Sequence, residues 1–256
     1  QHVKVVLGGD GGDELFAGYK RYDKHLRSAW RRGLRLPLPA LASYTKSAKL
    51  LDELRLDWLS AYALRFSGMP PALRRFLQPA LASVPAVYWD RMPTDTADPL
   101  RALLETDMHN YLPEYILRKG DLCTMAHGLE LRVPLLDHRL YQSVLALPDD
   151  RRFTRPRKLA LGAVCDVCRE SKLFDAAKRG FNPPVAHWLR HELRERLAGV
   201  GARLAQSTQN QLDDAHVQQL VDGFIAGNNA RAEQVLQLLI LDTSLAQLLH
   251  GSHRVH

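Results

Sequence analysis

Val3-Lys4-Val5-Val6-Leu7-Gly8-Gly9-Asp10-Gly11-Gly12-Asp13-Glu14-Leu15-Phe16-Ala17-Gly18-Tyr19 is the stretch on which the fold of this chain turns. Val3, Val5, Val6 and Leu7 are β-branched or apolar, as a buried strand of a parallel sheet requires. Gly8, Gly9, Gly11 and Gly12 supply the positive φ angles and close approach of a tight strand-to-helix turn. Asp13 and Glu14 open a helix in which Leu15, Phe16 and Tyr19 recur at core spacing, where acids suit the positive end of the dipole. A strand, a glycine turn and a helix start make the ligand crevice of an open α/β sheet. Asp10, Asp13 and Glu14 crowd this turn with carboxylates. Such groups repel phosphate, so they point to a bound Mg²⁺ or to proton transfer.

Familiar alternatives fail on spelling. A dinucleotide fingerprint read from Gly9 needs a third glycine where Glu14 stands, and a P-loop needs a Gly-Lys-Ser/Thr that is absent. An EF-hand needs a longer loop with alternating ligands. A plain glycine turn with a capping aspartate stays open on this run alone.

Working outward, 256 residues make one large domain or two small ones, and 46% hydrophobic with 25% charged residues is ordinary for a globular protein. No apolar run approaches the ~20 residues of a membrane span. Residue 1 leads almost directly into the strand, so no signal peptide is expected, and the abrupt start suggests a piece of something longer. The net charge of +7 gathers at Arg27, Arg31, Arg32 and Arg35 and at Arg151, Arg152, Arg155, Arg157 and Lys158. Aromatics are not interleaved there, so solvated helix faces are expected rather than a nucleic-acid platform. Some of that charge can draw in an anionic substrate. Cys123, Cys165 and Cys168 are an odd count with a single C-x-x-C. They read as buried thiols of a reducing cytosol, not as a disulfide framework or zinc site.

Between residues 26 and 90, helical spacing at Leu50, Leu51, Leu54, Trp58, Leu59 and Tyr62 predicts short helices with proline-marked ends. Asp98-Pro99 caps a helix carrying Leu100, Leu103, Leu104, Met108, Tyr111 and Leu112 on one face. Pro113 restarts the chain, and a second helix is expected from Glu114 to about His127, ended by Gly128. Asp137 reads as an N-cap, His127 as a capping or packing residue, and Asn182-Pro183 as the cap of a helix holding Trp188 and Leu189. The tail from Val217 to Leu249 is helical by spacing. Glu130 and Arg132 alternate in an extended segment, which puts both on one face. The whole is mostly helical with one clear strand.

Three segments then decide the resemblance: Gly9 to Tyr19; Arg118-Lys119-Gly120-Asp121-Leu122-Cys123-Thr124-Met125-Ala126-His127-Gly128-Leu129-Glu130-Leu131-Arg132-Val133-Pro134-Leu135-Leu136-Asp137-His138-Arg139; and Lys178-Arg179-Gly180-Phe181 followed by Pro184 and Trp188. In that order and spacing the chain resembles the synthetase half of glutamine-hydrolysing asparagine synthetases, in a family that includes β-lactam synthetase and related amidotransferases. The resemblance implies an α/β ATP-pyrophosphatase fold (adenine nucleotide α hydrolase-like), mostly helical here with a small part of the parallel sheet. It implies an enzyme that activates a carboxylate, the aspartate side chain first among them, as an acyl-adenylate. Pyrophosphate leaves, and glutamine-derived ammonia attacks to give an amide and AMP.

By that resemblance Asp13 would hold the Mg²⁺ that bridges the ATP phosphates, and Asp10 would help deprotonate the attacking ammonia. Gly8, Gly9, Asp10 and Gly11, with Lys178 and Arg179, would cradle ATP, Lys178 facing the α-phosphate. Glu130 resembles the carboxylate that orients the catalytic dyad of the β-lactam enzyme. Arg132 would pair with it or reach the substrate, and Asp121 falls where the acceptor is recognised. Glu14 would support the metal from behind or merely suit the helix dipole, with the second favoured. Lys119, Gly120 and Leu122 depart from the commonest family spelling. A relative acting on a sugar acid, a peptide or a β-lactam precursor therefore stays open, as does a scaffold that keeps the fold without ATP chemistry. The implied setting is cytoplasmic, with an upstream glutaminase domain as partner, no nucleic acid or membrane, and a homodimer left open.

The family's Ser-Gly-Gly-x-Asp-Ser pyrophosphate loop and N-terminal catalytic cysteine do not occur in the sequence. In the family both precede the segment at which this chain begins. Residues 1–256 are thus expected to be the C-terminal part of the synthetase domain, inactive alone. Purified, the chain should yield no amide from ATP, a carboxylate and ammonia; amide detected by mass spectrometry would overturn that expectation.

Overall fold

A computed structural model describes residues 3–32, 36–39, 46–80, 89–93, 97–154, 158–163, 166, 170 and 183–249. The chain divides into two compact units, residues 1–33 with 89–179 and residues 34–88 with 180–256.

The first unit holds the acidic turn. Strand β1 (Val5–Leu7) pairs in parallel with β2 (Glu130–Arg132), Val5 opposite Glu130, Val6 opposite Leu131 and Leu7 opposite Arg132. The extended reading of Gly128 to Pro134 thus becomes a second strand. Burial of β1 does not follow: Val5 is 37% and Leu7 73% exposed. A parallel strand is hidden only when layers cover both faces, and among the described residues this sheet has two strands.

After the turn comes α1 (Gly12–Leu15), then α2 (Lys20–Leu26). The expected single helix through Tyr19 is therefore one turn, broken where Ala17 takes a left-handed φ of 53°. Leu15 and Phe16 nevertheless reach the core, with Val144 and the partly buried Met108, Leu135 and Tyr141 around them. Of the four glycines near residue 10, only Gly11 has a positive φ, 89°. A β-carbon there would also stand 2.3 Å from Leu136 Cδ2.

Asp98 caps the helix Pro99–Thr106 as expected, its carboxylate accepting from Arg101 N at 2.7 Å. No break follows at Pro113. The chain runs through π-helical turns from Asp107 to Leu117 straight into the helix Arg118–Met125. Wider turns move away the preceding carbonyl that a proline ring would strike, although Pro113 still gives no N–H to the helical ladder. The helix ends before Gly128, with the Leu129 N–H reaching back to the Thr124 carbonyl at 3.0 Å. Asp137 caps the helix His138–Leu145 by accepting from Arg139 N at 3.0 Å.

The regular elements described in the second unit are all helices. The tail forms Asp214–Ile225 and Ala232–Leu249, and Val217, Leu220, Phe224, Val235, Leu238 and Leu239 are buried. Trp58 and Tyr62 are buried as their spacing implies, whereas Leu50 is 55% exposed. Asp52, itself buried, accepts from Ala72 N at 2.7 Å and from Arg75 at 2.6 Å, tying the helix Lys46–Arg55 to Pro71–Leu77. The helix bearing Trp188 starts at Val185 after Pro184; Asn182 lies outside the described residues. So do Cys165 and Cys168, while Cys123 is exposed rather than buried. Among the described residues no helix is long and apolar enough to cross a membrane.

Gly11→Ala combines a disfavoured φ with a collision against Leu136. It should cost about 1–3 kcal/mol in urea unfolding; an unchanged midpoint would refute the constraint.

Candidate active site

The parallel ladder brings the acidic turn beside the C-terminal end of β2, where Arg132 stands, while Glu130 lies at the start of that strand, opposite Val5. Gly8 N donates to the Arg132 carbonyl at 2.8 Å, and Glu130 N to the Lys4 carbonyl at 2.9 Å. Gly8, Gly9, Asp10 and Gly11 therefore leave β1 beside the end of β2. The carboxylate of Asp10 folds back over Gly8, whose β-carbon, were one present, would lie 3.1 Å from Asp10 Oδ2 and 3.1 Å from Leu131 Cδ1. The C-terminal ends of parallel strands are where α/β proteins place ligands.

Glu130 and Arg132 share a face, as their alternation requires, and pair at 2.8 Å. Both are more than half exposed, so the pair adds little to stability. The Arg132 hydrogen bond and charge hold the Glu130 carboxyl below the ordinary carboxylate range.

Asp13 meets a partner that sequence spacing does not reveal. Its Oδ1 is 2.7 Å from Lys158 Nζ, and both side chains are largely buried. The pair lies against Gly18, where a β-carbon would stand 1.9 Å from Asp13 Oδ1 and 2.2 Å from Lys158 Cε. Gly18 is thus the bare patch of backbone on which the ion pair rests. Lys158 belongs to the basic cluster expected to be solvated, and so does Arg152, which is 5% exposed. That expectation fails for both, because each turns inward to α1: Lys158 to the Asp13 carboxylate, Arg152 to the Leu15 carbonyl at 2.8 Å.

Glu14 is 1% exposed and accepts from the Tyr19 hydroxyl at 2.9 Å. It stands in the first turn of α1, as the dipole reading expects, but within a buried polar network rather than at an open helix end. Arg21 stacks 3.4 Å from the Tyr19 ring centre and bonds Asp107 at 2.6 Å, and Tyr22 also donates to Asp107 at 2.6 Å. Burial raises the Glu14 pKa above 4.5, opposed by the Tyr19 hydrogen bond and reinforced by the charges of Asp13 and Asp107. Burial and the adjacent Glu14 push the Tyr19 phenol up.

Asp121 is exposed on the helix Arg118–Met125, and among the described residues its carboxylate makes no hydrogen bond or ion pair. Lys178 and Arg179 lie outside the described residues.

The sequence model of the asparagine synthase family matches residues 1–249. The chain belongs to the asparagine synthase family. A Mycobacterium tuberculosis protein assigned as a glutamine-hydrolyzing asparagine synthetase is 30% identical over 94% of this chain and 39% of its own length. Glutamine-hydrolyzing asparagine synthetase 1 of Bacillus subtilis is 24% identical over 94% of this chain and 40% of its own. Amidase chyE of Penicillium rubens is 24% identical over 73% of the chain and 33% of its own length. This chain therefore spans about two-fifths of the synthetases that it matches. No solved structure matches it.

Within this family member, the acidic turn can be tested for Mg²⁺. Among the described residues no group of three or more His, Cys, Asp or Glu side chains gathers to hold a metal ion. Mg²⁺ keeps several waters and takes one or two carboxylates plus substrate phosphates, so a dedicated cage is not needed. Asp13 is a hard oxygen donor at a strand end, already holding a cationic group on Oδ1. The donor chemistry fits.

The raised pKa of Glu14 sets a pH dependence. Burial favours its protonated form, so its contribution to stability is complete below pH 4.5 and is lost as pH rises through the folded-state value. Glu14→Gln keeps the shape and cannot ionise. Its thermal midpoint should gain on the wild type as pH is raised from 4.5 toward neutrality; parallel midpoint curves would show that Glu14 titrates normally.

Proposed function

We propose that the whole protein is an ATP-dependent amidotransferase of the ATP-pyrophosphatase fold that converts aspartate to asparagine. The observation that carries this reading is the placement of Asp10, in a glycine turn after β1, and of Asp13, at the start of α1, beside the strand that bears Glu130 and ends on Arg132. An oxygen of the substrate carboxylate attacks the α-phosphorus of ATP, and pyrophosphate leaves. Ammonia, released from glutamine by an upstream domain of the same polypeptide, then attacks the acyl carbon and expels AMP.

Each residue has a part in that sequence. Mg²⁺ held by Asp13 would neutralise charge on the leaving pyrophosphate. Lys158 fixes the orientation of Asp13 over Gly18. Lys178 and Arg179 supply cations to the phosphates, Lys178 to the charge that grows on the α-phosphate oxygens. Gly8, Gly9 and Gly11 let backbone approach the nucleotide. Asp10 takes a proton from the attacking amine, with Glu130 orienting it. Arg132 anchors Glu130, and Asp121 with Arg132 contacts the acceptor. The exposed face of β1, Val5 and Leu7, suits a covering layer supplied by the whole polypeptide.

A second reading keeps the chemistry and changes the acceptor to another carboxylate. It is favoured by the spelling of residues 119–122 and by the likeness to amidase chyE.

In the whole polypeptide, Lys178→Ala should cut ATP–pyrophosphate exchange by at least about 10²-fold while glutamine hydrolysis continues. Retained exchange would remove Lys178 from the mechanism. Exchange in the wild type that does not depend on aspartate would favour the second reading.

A further inference from the structure

Arg152 ends the short helix Asp149–Arg152, and its side chain turns inward until 5% of the residue is exposed. Nε donates to the Leu15 carbonyl at 2.8 Å, at the far end of α1 from the acidic turn. The guanidinium carbon lies 4.8 Å from the Phe153 ring centre. Among the described residues no carboxylate forms an ion pair with it. A buried charge whose described hydrogen bond is to a neutral carbonyl is costly, and the nearby charges of Asp149 and Glu105 offset its desolvation only in part. Burial, and then the nearby Arg101, push its pKa below the ordinary arginine value.

The guanidinium borders a cleft of about 180 Å³ lined by Arg101, Leu104, Met108, Tyr141, Leu145 and Arg152. Arg101 is committed to Asp149 at 2.6 Å. Glu105 also lines the cleft, and its charge acts on both Arg101 and Arg152. The remaining walls are apolar apart from the Tyr141 phenol. At ~30 Å³ per water, the space holds about six waters.

We propose that this cleft binds a compact carboxylate with a short apolar body, the carboxylate on Arg152 and the body against Leu104, Met108 and Leu145. One guanidinium presents a planar fork that matches a carboxylate, and a dianion would need a second uncommitted cation. The inference is independent of the ATP chemistry proposed above.

Butyrate is a suitable probe, with butyramide as its uncharged counterpart, in saturation-transfer NMR on the 256-residue chain at constant ionic strength. Butyrate should saturate with a Kd on the order of 1 mM, and butyramide should bind at least tenfold more weakly. Arg152→Met and Leu145→Trp should each weaken butyrate at least tenfold. Leu145 is 40% exposed and is not a partner in the Leu15–Arg152 hydrogen bond, so the tryptophan variant decides the question if Arg152→Met fails to fold. Absence of saturable butyrate binding, equal binding of butyramide, displacement by lower concentrations of inorganic phosphate, or unchanged affinity in Leu145→Trp would each overturn the assignment.

Discussion

The parallel pairing of β1 with β2 is the constraint from which the candidate site follows. Residue 5 faces residue 130, and the hydrogen bond from Gly8 to Arg132 closes the ladder at its C-terminal end. Because side chains alternate along a strand, a slip of one residue would send Glu130 and Arg132 to the opposite face. The same slip would turn Leu131 away from Gly8 and Val6. Register therefore decides which face carries Glu130 and Arg132, and it sets Arg132 rather than Glu130 at the end of the sheet where the turn begins.

Around that ladder the chain holds charged groups by pairing them rather than by leaving them in water. Asp13 is held by Lys158, and Asp107, fully buried, receives Arg21 and the Tyr22 hydroxyl. Glu14 is held by Tyr19 alone among the bonds described above, and burial raises its pKa accordingly. Desolvation costs several kcal/mol per buried ion in real proteins, so such pairs confer placement more surely than stability. Placement is what a site for nucleotide chemistry requires. Gly18 makes the first of these pairs possible by leaving its backbone bare beneath Asp13 and Lys158.

Much of this was legible in the residue order. The glycine run announced a strand-to-helix turn, Asp98 and Asp137 announced their helices, and the spacing of Val217, Leu220 and Phe224 announced a buried helical face. These features depend on neighbours within a few positions, so local chemistry suffices to read them. Pro113 misled, because a proline breaks an α-helix but not the wider turns that the chain adopts there. Ala17 gave no warning of its left-handed conformation, since alanine favours helix.

The sequence by itself determined the family, the acidic turn, the helical character of the tail and the face shared by Glu130 and Arg132. Each is a matter of residue type at short, regular intervals. Only the tertiary structure decided that Lys158 and Arg152 leave a basic cluster for α1, that Glu14 is buried against Tyr19, and that β1 keeps an exposed face. Those outcomes join residues more than a hundred positions apart, depend on which layers cover a strand or, for Glu14, turn on how deeply a local pair is buried. The energy of burying a charge beside a distant partner has no imprint in the local order of the chain.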